Sequence, residues 1–177
     1  MKSSILISIL SLILISCAGV ELTTEQCQSF SWETKGKEDG AKGENKFPSY
    51  KNACLESNYL VGPSEKSLYT DGFKGEFCTS NTAFKLGLDL RDYNLEECSA
   101  EKKEELSSAY TLGKKRGTLK SQLKLLAQKL REIESDLRKE DLEESVKKSL
   151  KIQQIAYEKE ERELERELSS LPETFIK

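Results

Sequence analysis

Histidine is missing from all 177 residues of the sequence. Its absence excludes Ser-His-Asp and Cys-His nucleophilic catalysis and every metal site that needs an imidazole ligand. An excess of basic charge is missing too, because 28 Lys and Arg stand against 31 Asp and Glu. Nucleic-acid binding usually requires a basic surface, so no nucleic-acid partner is expected. No catalytic residue, metal site or cofactor is predicted, and a non-enzymatic protein is expected.

The longest apolar run lies at the N-terminus, where residues 5–15 are apolar apart from two serines. This run is shorter than the ~20 residues of a transmembrane helix. With Lys2 as its charged start, it is typical of a secretory signal. The motif Leu14-Ile15-Ser16-Cys17 then resembles a lipobox, the processing site of bacterial lipoproteins. The sequence predicts cleavage before Cys17 and lipid, including palmitate, on that residue. The alternative is an uncleaved anchor or an ordinary signal with a chance cysteine.

A lipidated Cys17 predicts attachment to a membrane, since each buried CH₂ group of an acyl chain contributes ~0.8 kcal/mol. In lipoproteins of this kind an aspartate after the cysteine indicates retention in the inner membrane. Ala18 occupies that position here. The expected location is therefore the cell envelope, on the outer membrane and facing the periplasm.

Four cysteines remain after the lipobox: Cys27, Cys54, Cys78 and Cys98. In an oxidising compartment an even number of cysteines predicts disulfides, and four cysteines allow three connectivities. We favour Cys27–Cys54 with Cys78–Cys98, because this pairing closes two separate loops of moderate length. A four-cysteine zinc site is the alternative, and the absence of any CxxC pair argues against it.

Two similar hexapeptides, DGAKGE at 39–44 and DGFKGE at 71–76, each follow an aromatic residue. On a helix, Gly36, Gly40 and Gly43 would share one face at spacings of four and three. Glycine costs a helix ~1 kcal/mol per site relative to alanine. Repeated glycines at this spacing therefore predict that helix backbones approach each other closely. The aspartates of the two hexapeptides are interpreted as local caps or solvated residues.

The order of cysteines and aromatic-glycine pairs resembles that of a family of small Gram-negative lipoproteins catalogued as domain of unknown function 2799. The similarity extends from about Cys27 into the helix beyond Gly117. It is carried by Cys27, Trp32, Gly36, Asp39, Gly40, Gly43, Cys54, Tyr69, Gly72, Gly75, Cys78, Asn81, Phe84, Gly87, Cys98, Tyr110 and Gly113. The resemblance implies a fold and an envelope location, and it supplies no catalytic residue.

Glycine, proline and cysteine are missing between Thr118 and Leu171. Apolar residues at alternating spacings of four and three predict the a/d seam of a coiled coil. They are Leu119, Leu123, Leu126, Leu130, Ile133 and Leu137. A less regular seam continues to Leu171, and Pro172 ends it.

An antiparallel hairpin is favoured over one continuous helix in this region. A fold at Asp141 places Leu119 opposite Leu164. It also places the stretch 114–131, which has seven bases and no acid, opposite the acidic stretch 158–167. Asp141 is expected to cap the second helix. Against the hairpin, the turn has no glycine or proline.

The expected fold is mostly α, with a small disulfide-braced helical domain followed by a long charged coiled-coil helix or antiparallel helical hairpin. The predicted division is a signal peptide at 1–16, a lipidated cysteine and tether at 17–26, a compact cysteine- and glycine-rich domain at 27–98, a charged coiled-coil region at 99–171 and a tail at 172–177.

The expected function is that of a lipoprotein whose coiled coil contacts another envelope protein. One alternative is binding of peptidoglycan or lipid phosphates through the basic stretch 114–131. Lys120, Lys124 and Lys129 are its candidate anion-binding residues. A second alternative is an envelope glycan hydrolase that uses two carboxylates, for which Asp39 and Asp71 are available.

Overall fold

The computed structural model describes residues 22–175, and every regular element within them is a helix. The mostly α fold is therefore confirmed. The predicted signal peptide and Cys17 lie outside the described residues. The α-helices are α1 (Thr24–Gln28), α2 (Trp32–Lys42), α3 (Phe47–Glu56), α4 (Pro63–Phe77), α5 (Ser80–Leu88), α6 (Lys103–Leu137) and α7 (Glu144–Ser170). Two short 3₁₀ helices, Leu95–Glu97 and Ala100–Lys102, lie between α5 and α6.

The described chain forms two compact units whose limits differ from those of the predicted domains. The first contains residues 22–30 and 48–61, and the second contains residues 31–47 and 62–175. Both carry one disulfide. The bonds join Cys27 to Cys54 and Cys78 to Cys98, with Cα–Cα distances of 5.7 and 5.5 Å. The sequential pairing predicted for the four cysteines is confirmed.

In the first unit, the disulfide joins two short helical segments that bury little surface on their own. Helix α1 has only five residues, and Thr23 caps it in a reciprocal arrangement with Gln26. The two bonded cysteines are fully buried. A ring contact between Phe30 and Tyr50, with centroids 5.1 Å apart, accompanies them. A unit this small depends on its covalent bond, because closing such a loop contributes ~3 kcal/mol to stability.

In the second unit, glycines bring α2 and α4 into direct backbone contact. A Cβ added at Gly36 or Gly40 would overlap a backbone carbonyl oxygen of α4. From the opposite side, a Cβ added at Gly72 would overlap the carbonyl oxygen of Glu33 in α2. Any other residue would place a side chain inside this contact. The predicted close approach of helix backbones is confirmed.

A second contact of the same kind joins α5 to α6. A Cβ added at Gly113 or Gly117 would overlap a carbonyl oxygen of α5, and one added at Gly87 would overlap the carbonyl oxygen of Tyr110. The start of α6 is thus held against α5 as closely as α2 is held against α4.

The second glycine of each hexapeptide has a different role from the first. Gly43 has a φ of 68° and ends α2 in the left-handed conformation that favours glycine. Gly75 is exposed, and a Cβ added there would meet no atom within 4 Å. The expectation that Gly43 continues the glycine face of α2 is therefore wrong, because the helix ends at this residue.

A continuous row of aromatic rings connects the two glycine contacts. Neighbouring ring centroids lie 4.7–6.2 Å apart in the order Trp32, Phe47, Tyr69, Phe73, Phe77, Tyr93 and Tyr110. The hydroxyl of Tyr93 donates a hydrogen bond to the carbonyl of Phe77 at 3.0 Å. Burial raises the pKa of Tyr93 to about 12. The row forms the centre of the hydrophobic core of this unit.

Helices α6 and α7 pack as an antiparallel hairpin, as favoured from the sequence. Leu119, Leu126 and Ile133 are buried at intervals of seven residues along α6. In α7, which begins at Glu144, Glu143 is the N-cap residue and makes no side-chain cap hydrogen bond. The prediction that Asp141 caps this helix is wrong, because the helix begins too far along the chain for its side chain to reach the first free amides.

Gly72→Ala is expected to lower the free energy of unfolding by about 3 kcal/mol, because the new Cβ would collide with the backbone of α2. Gly75→Ala, in the same helix, is the matched control. It is expected to raise the stability by about 1 kcal/mol, since alanine is the better helix former and the space is open. Urea unfolding of both variants measures the difference. Equal effects of the two substitutions would contradict the assigned backbone contact.

Candidate interaction surface

The three candidate anion-binding lysines lie on α6 but do not form one site. Lys120 and Lys124 are exposed and one turn apart on the same face. Lys129 is nine residues from Lys120, which is about two and a half helical turns and places it on the opposite side. Its Nζ lies 5.1 Å from the ring centroid of Tyr157 in α7. The structure therefore brings Lys120 and Lys124 together and separates Lys129 from them.

The face that carries Lys120 and Lys124 continues the glycine face of α6. Each of these lysines follows a contact glycine, Gly113 or Gly117, by seven residues. Arg131 follows Lys124 at the same interval. All three bases are exposed, and none of them forms an ion pair within residues 22–175. We call Lys120, Lys124 and Arg131 the basic face of α6.

Arg116 belongs to the same basic stretch but is buried. Only 6% of the residue is exposed. Its Nη1 donates hydrogen bonds to the carbonyl oxygens of Leu168 and Leu171, at 3.3 and 2.6 Å. These carbonyls lie at the C-terminal end of α7, where a helix has unpaired acceptors and partial negative charge. Arg116 therefore closes the open end of the hairpin and is not available as a surface cation.

The predicted pairing of basic and acidic stretches across the hairpin is observed at one place beside this arginine. Lys115 Nζ lies 2.9 Å from the Glu167 carboxylate, and both side chains are about half exposed. An exposed pair of this kind contributes only ~0–1 kcal/mol. Arg116, whose role the sequence did not indicate, makes the more enclosed connection between the two helices.

The two candidate catalytic aspartates have different surroundings. Asp71 is exposed, as expected of a solvated residue. Asp39 is only 2% exposed, and its Oδ2 accepts a hydrogen bond from the Tyr69 hydroxyl at 2.7 Å. The same hydroxyl accepts a hydrogen bond from the backbone N–H of Lys46 at 2.9 Å. The interpretation of Asp39 as a solvated residue is wrong, because the residue is buried and its carboxylate is hydrogen-bonded to a side chain of another helix.

Within residues 22–175, no group of three or more Cys, Asp or Glu is arranged to hold a metal ion. No helix in this part of the chain combines the length and the apolar character needed to cross a membrane.

Residues 31–115 match the model of the family described as "Protein of unknown function (DUF2799)". No curated protein and no solved structure matches the chain. The matched range contains α2, α4, α5 and the start of α6, and therefore most of both glycine contacts. The basic face and α7 follow it.

Arg116→Met is expected to lower the free energy of unfolding by about 2 kcal/mol, because the buried charge-assisted hydrogen bonds to the end of α7 are lost. Lys115→Met is the matched control next to it. Its effect is expected to stay within about 0.5 kcal/mol, because the ion pair it removes is exposed. Urea unfolding measures both, and a loss at Lys115 as large as that at Arg116 would contradict the role given to Arg116.

Proposed function

We propose that this chain, whose residues 31–115 match the model of the DUF2799 family, is a lipid-anchored, non-enzymatic protein of the bacterial cell envelope. Its proposed anchor is Cys17, the last residue of the lipobox Leu14-Ile15-Ser16-Cys17. The proposed location is the outer membrane, on its periplasmic side. The mature chain would then begin at Cys17, with the tether 17–26 joining the lipid to the helices.

The two disulfides support an exported location. Both bonds need an oxidising compartment to form and persist, and the cytosol of most cells keeps thiols reduced. Cys27 and Cys54 are fully buried in a unit of short helices that has little other support. A chain retained in the cytosol would lose this support. The cysteines and the lipobox therefore favour the same side of the membrane.

The proposed activity is binding of another envelope protein by the helical hairpin. The observation that carries this proposal is the basic face of α6, on which Lys120, Lys124 and Arg131 are exposed and have no ion-pair partner among the described residues. Helix α5, which ends at Leu88, packs on the preceding part of the same face. A partner with an acidic surface could continue that packing along α6.

The alternative proposal is that the basic face binds anionic envelope material such as peptidoglycan or lipid phosphates. Lys120, Lys124 and Arg131 favour it by their charge alone. The proposal of a carboxylate hydrolase gains no support from Asp39, because that residue is enclosed and hydrogen-bonded to Tyr69. A glycan in solution could not reach its carboxylate in this arrangement.

Mass spectrometry of the protein purified from its native host tests the anchor. The N-terminal peptide is expected to begin at Cys17 and to carry the added mass of acyl chains. A Cys17→Ser variant, the matched control, is expected to lose both the cleavage and the lipid. An unmodified Cys17 in the native protein would refute lipid anchoring.

Photocrosslinking in intact cells tests the proposed interaction. A photoreactive amino acid at position 124 is expected to form an adduct with an envelope protein, whereas the same amino acid at position 66 is not. Lys66 is an exposed residue of α4 and serves as the control. Adducts with glycan rather than protein would favour the alternative. A folded, abundant protein that gives no adduct from position 124 would refute both.

A further inference from the structure

The side of α7 that faces away from α6 carries bases and two exposed isoleucines. At about 100° per residue its residues fall within an arc of about 100°, so all of them lie on one face of the helix. They are Lys148, Lys151, Ile152, Ile155, Lys159, Arg162 and Arg166, and all are exposed. We call this set the outer face of α7. At ~1.5 Å per residue it is about 27 Å long.

The orientation of this face follows from the hairpin. The half-buried residues of α7 that pack towards α6 include Leu150, Tyr157 and Leu164. Two residues along a helix correspond to rather more than half a turn, so such positions point to nearly opposite sides. Ile152 follows Leu150 by two residues, and Ile155 precedes Tyr157 by two. The outer face therefore points away from the packed seam.

The isoleucines are unusual for a solvated helix face. Ile152 and Ile155 are 61% and 65% exposed, next to each other in the middle of the outer face. Isolated exposed apolar residues are common on protein surfaces, but an adjacent pair with basic residues on both sides is characteristic of a helix that lies on a membrane surface. The acids of this part of α7 lie along the edges of the face or beside the seam.

Four of the five bases of the outer face form no ion pair within residues 22–175. Within residues 22–175, Lys159 forms an ion pair with Glu163 at 3.9 Å, which is a long separation on an exposed surface. The other four bases form no ion pair there; they are Lys148, Lys151, Arg162 and Arg166. The positive charge of these four bases is therefore not neutralised by an ion pair with an acid of their own helix.

We propose that the outer face of α7 docks on a membrane surface that contains anionic phospholipid. The bases contact lipid phosphates along the length of the helix, and Ile152 and Ile155 enter the boundary between headgroups and acyl chains. This proposal rests on the envelope location proposed above. It assigns the anionic lipid to α7 and leaves the basic face of α6, on the other helix of the hairpin, for a protein partner.

Anionic lipid fits this face better than an acidic protein does. The bases form two groups along the helix, at 148–151 and 159–166, on either side of the isoleucines. They are not gathered around a pocket, and this extended arrangement suits a charged plane. Each base close to such a surface strengthens attachment, and the effect extends only over a Debye length of about 10 Å at moderate salt. The two isoleucines add an apolar contact that a highly charged protein surface would leave unused.

Tryptophan fluorescence of the full-length protein reconstituted into vesicles tests the proposal. The variant Ile155→Trp carries the reporter, and Leu125→Trp is its control at an exposed apolar position of α6. The native Trp32 is buried and present in both, so its signal is subtracted with the unsubstituted protein. The vesicles contain phosphatidylcholine alone or mixed with phosphatidylglycerol, and acrylamide is the quencher.

The acrylamide quenching constant of Ile155→Trp is expected to fall about threefold when phosphatidylglycerol is present, because the side chain enters the interface. That of Leu125→Trp is expected to stay the same. High salt should reverse the protection, since it screens the lipid phosphates. Equal quenching of Ile155→Trp in neutral and anionic vesicles would overturn the proposal.

Two triple variants, each made in the Ile155→Trp protein, test which helix face makes the interaction. The first combines Lys151→Gln, Lys159→Gln and Arg162→Gln and is expected to abolish the protection from acrylamide. The second removes the same number and kind of charges from α6, by Lys120→Gln, Lys124→Gln and Arg131→Gln, and is expected to leave the protection intact. Equal loss in both variants would mean that only net charge matters and would refute a specific face. Protection by soluble polyglutamate but not by vesicles would overturn the choice of lipid.

The lipidation state of Cys17 distinguishes a failure of the proposed α7 docking from a failure of the proposed lipid anchor. A lipidated protein that shows no protection contradicts docking by α7 alone. An unlipidated protein contradicts the anchor, and its outer face can still be tested by adding the vesicles to the protein in solution.

Discussion

Direct contact between helix backbones is the constraint on which the second unit depends. Gly36, Gly40 and Gly72 join α2 to α4, and a second set of glycines joins α5 to α6. Close packing of this kind leaves no room for a side chain and makes the helix positions insensitive to rotamer choice. The aromatic row connects the two contacts. The basic face of α6 begins where the second contact ends.

Part of this arrangement was predictable from the sequence and part was not. The four-residue spacing of Gly36 and Gly40 predicts a shared helix face, and the cysteine spacing predicts two local loops. Residues that look alike in sequence nevertheless differ in structure. Gly72 and Gly75 occur in one hexapeptide, but only Gly72 touches α2. Which of the two makes the contact depends on where α2 crosses α4, and no local pattern contains that information.

The roles of the charged residues were likewise not predictable from a local sequence pattern. Arg116, Lys115 and Lys124 belong to one basic stretch, and the sequence does not distinguish their roles. In the structure the first closes the end of α7, the second forms an exposed ion pair and the third forms no ion pair within residues 22–175. Their positions around the helix relative to α5 and α7 determine these roles. Asp39 is a comparable case, since its partner Tyr69 comes from a helix 30 residues further along the chain.

Helix α6 runs without interruption for 35 residues, from Lys103 to Leu137. Its first part packs on α5 through glycine, and the remainder packs on α7, so one helix belongs to both assemblies. No hinge separates them. A force applied to the turn of the hairpin would therefore reach the glycine contact through one continuous helix about 50 Å long. Mechanical load on the hairpin would be transmitted directly to the part of the chain that is least able to change its packing.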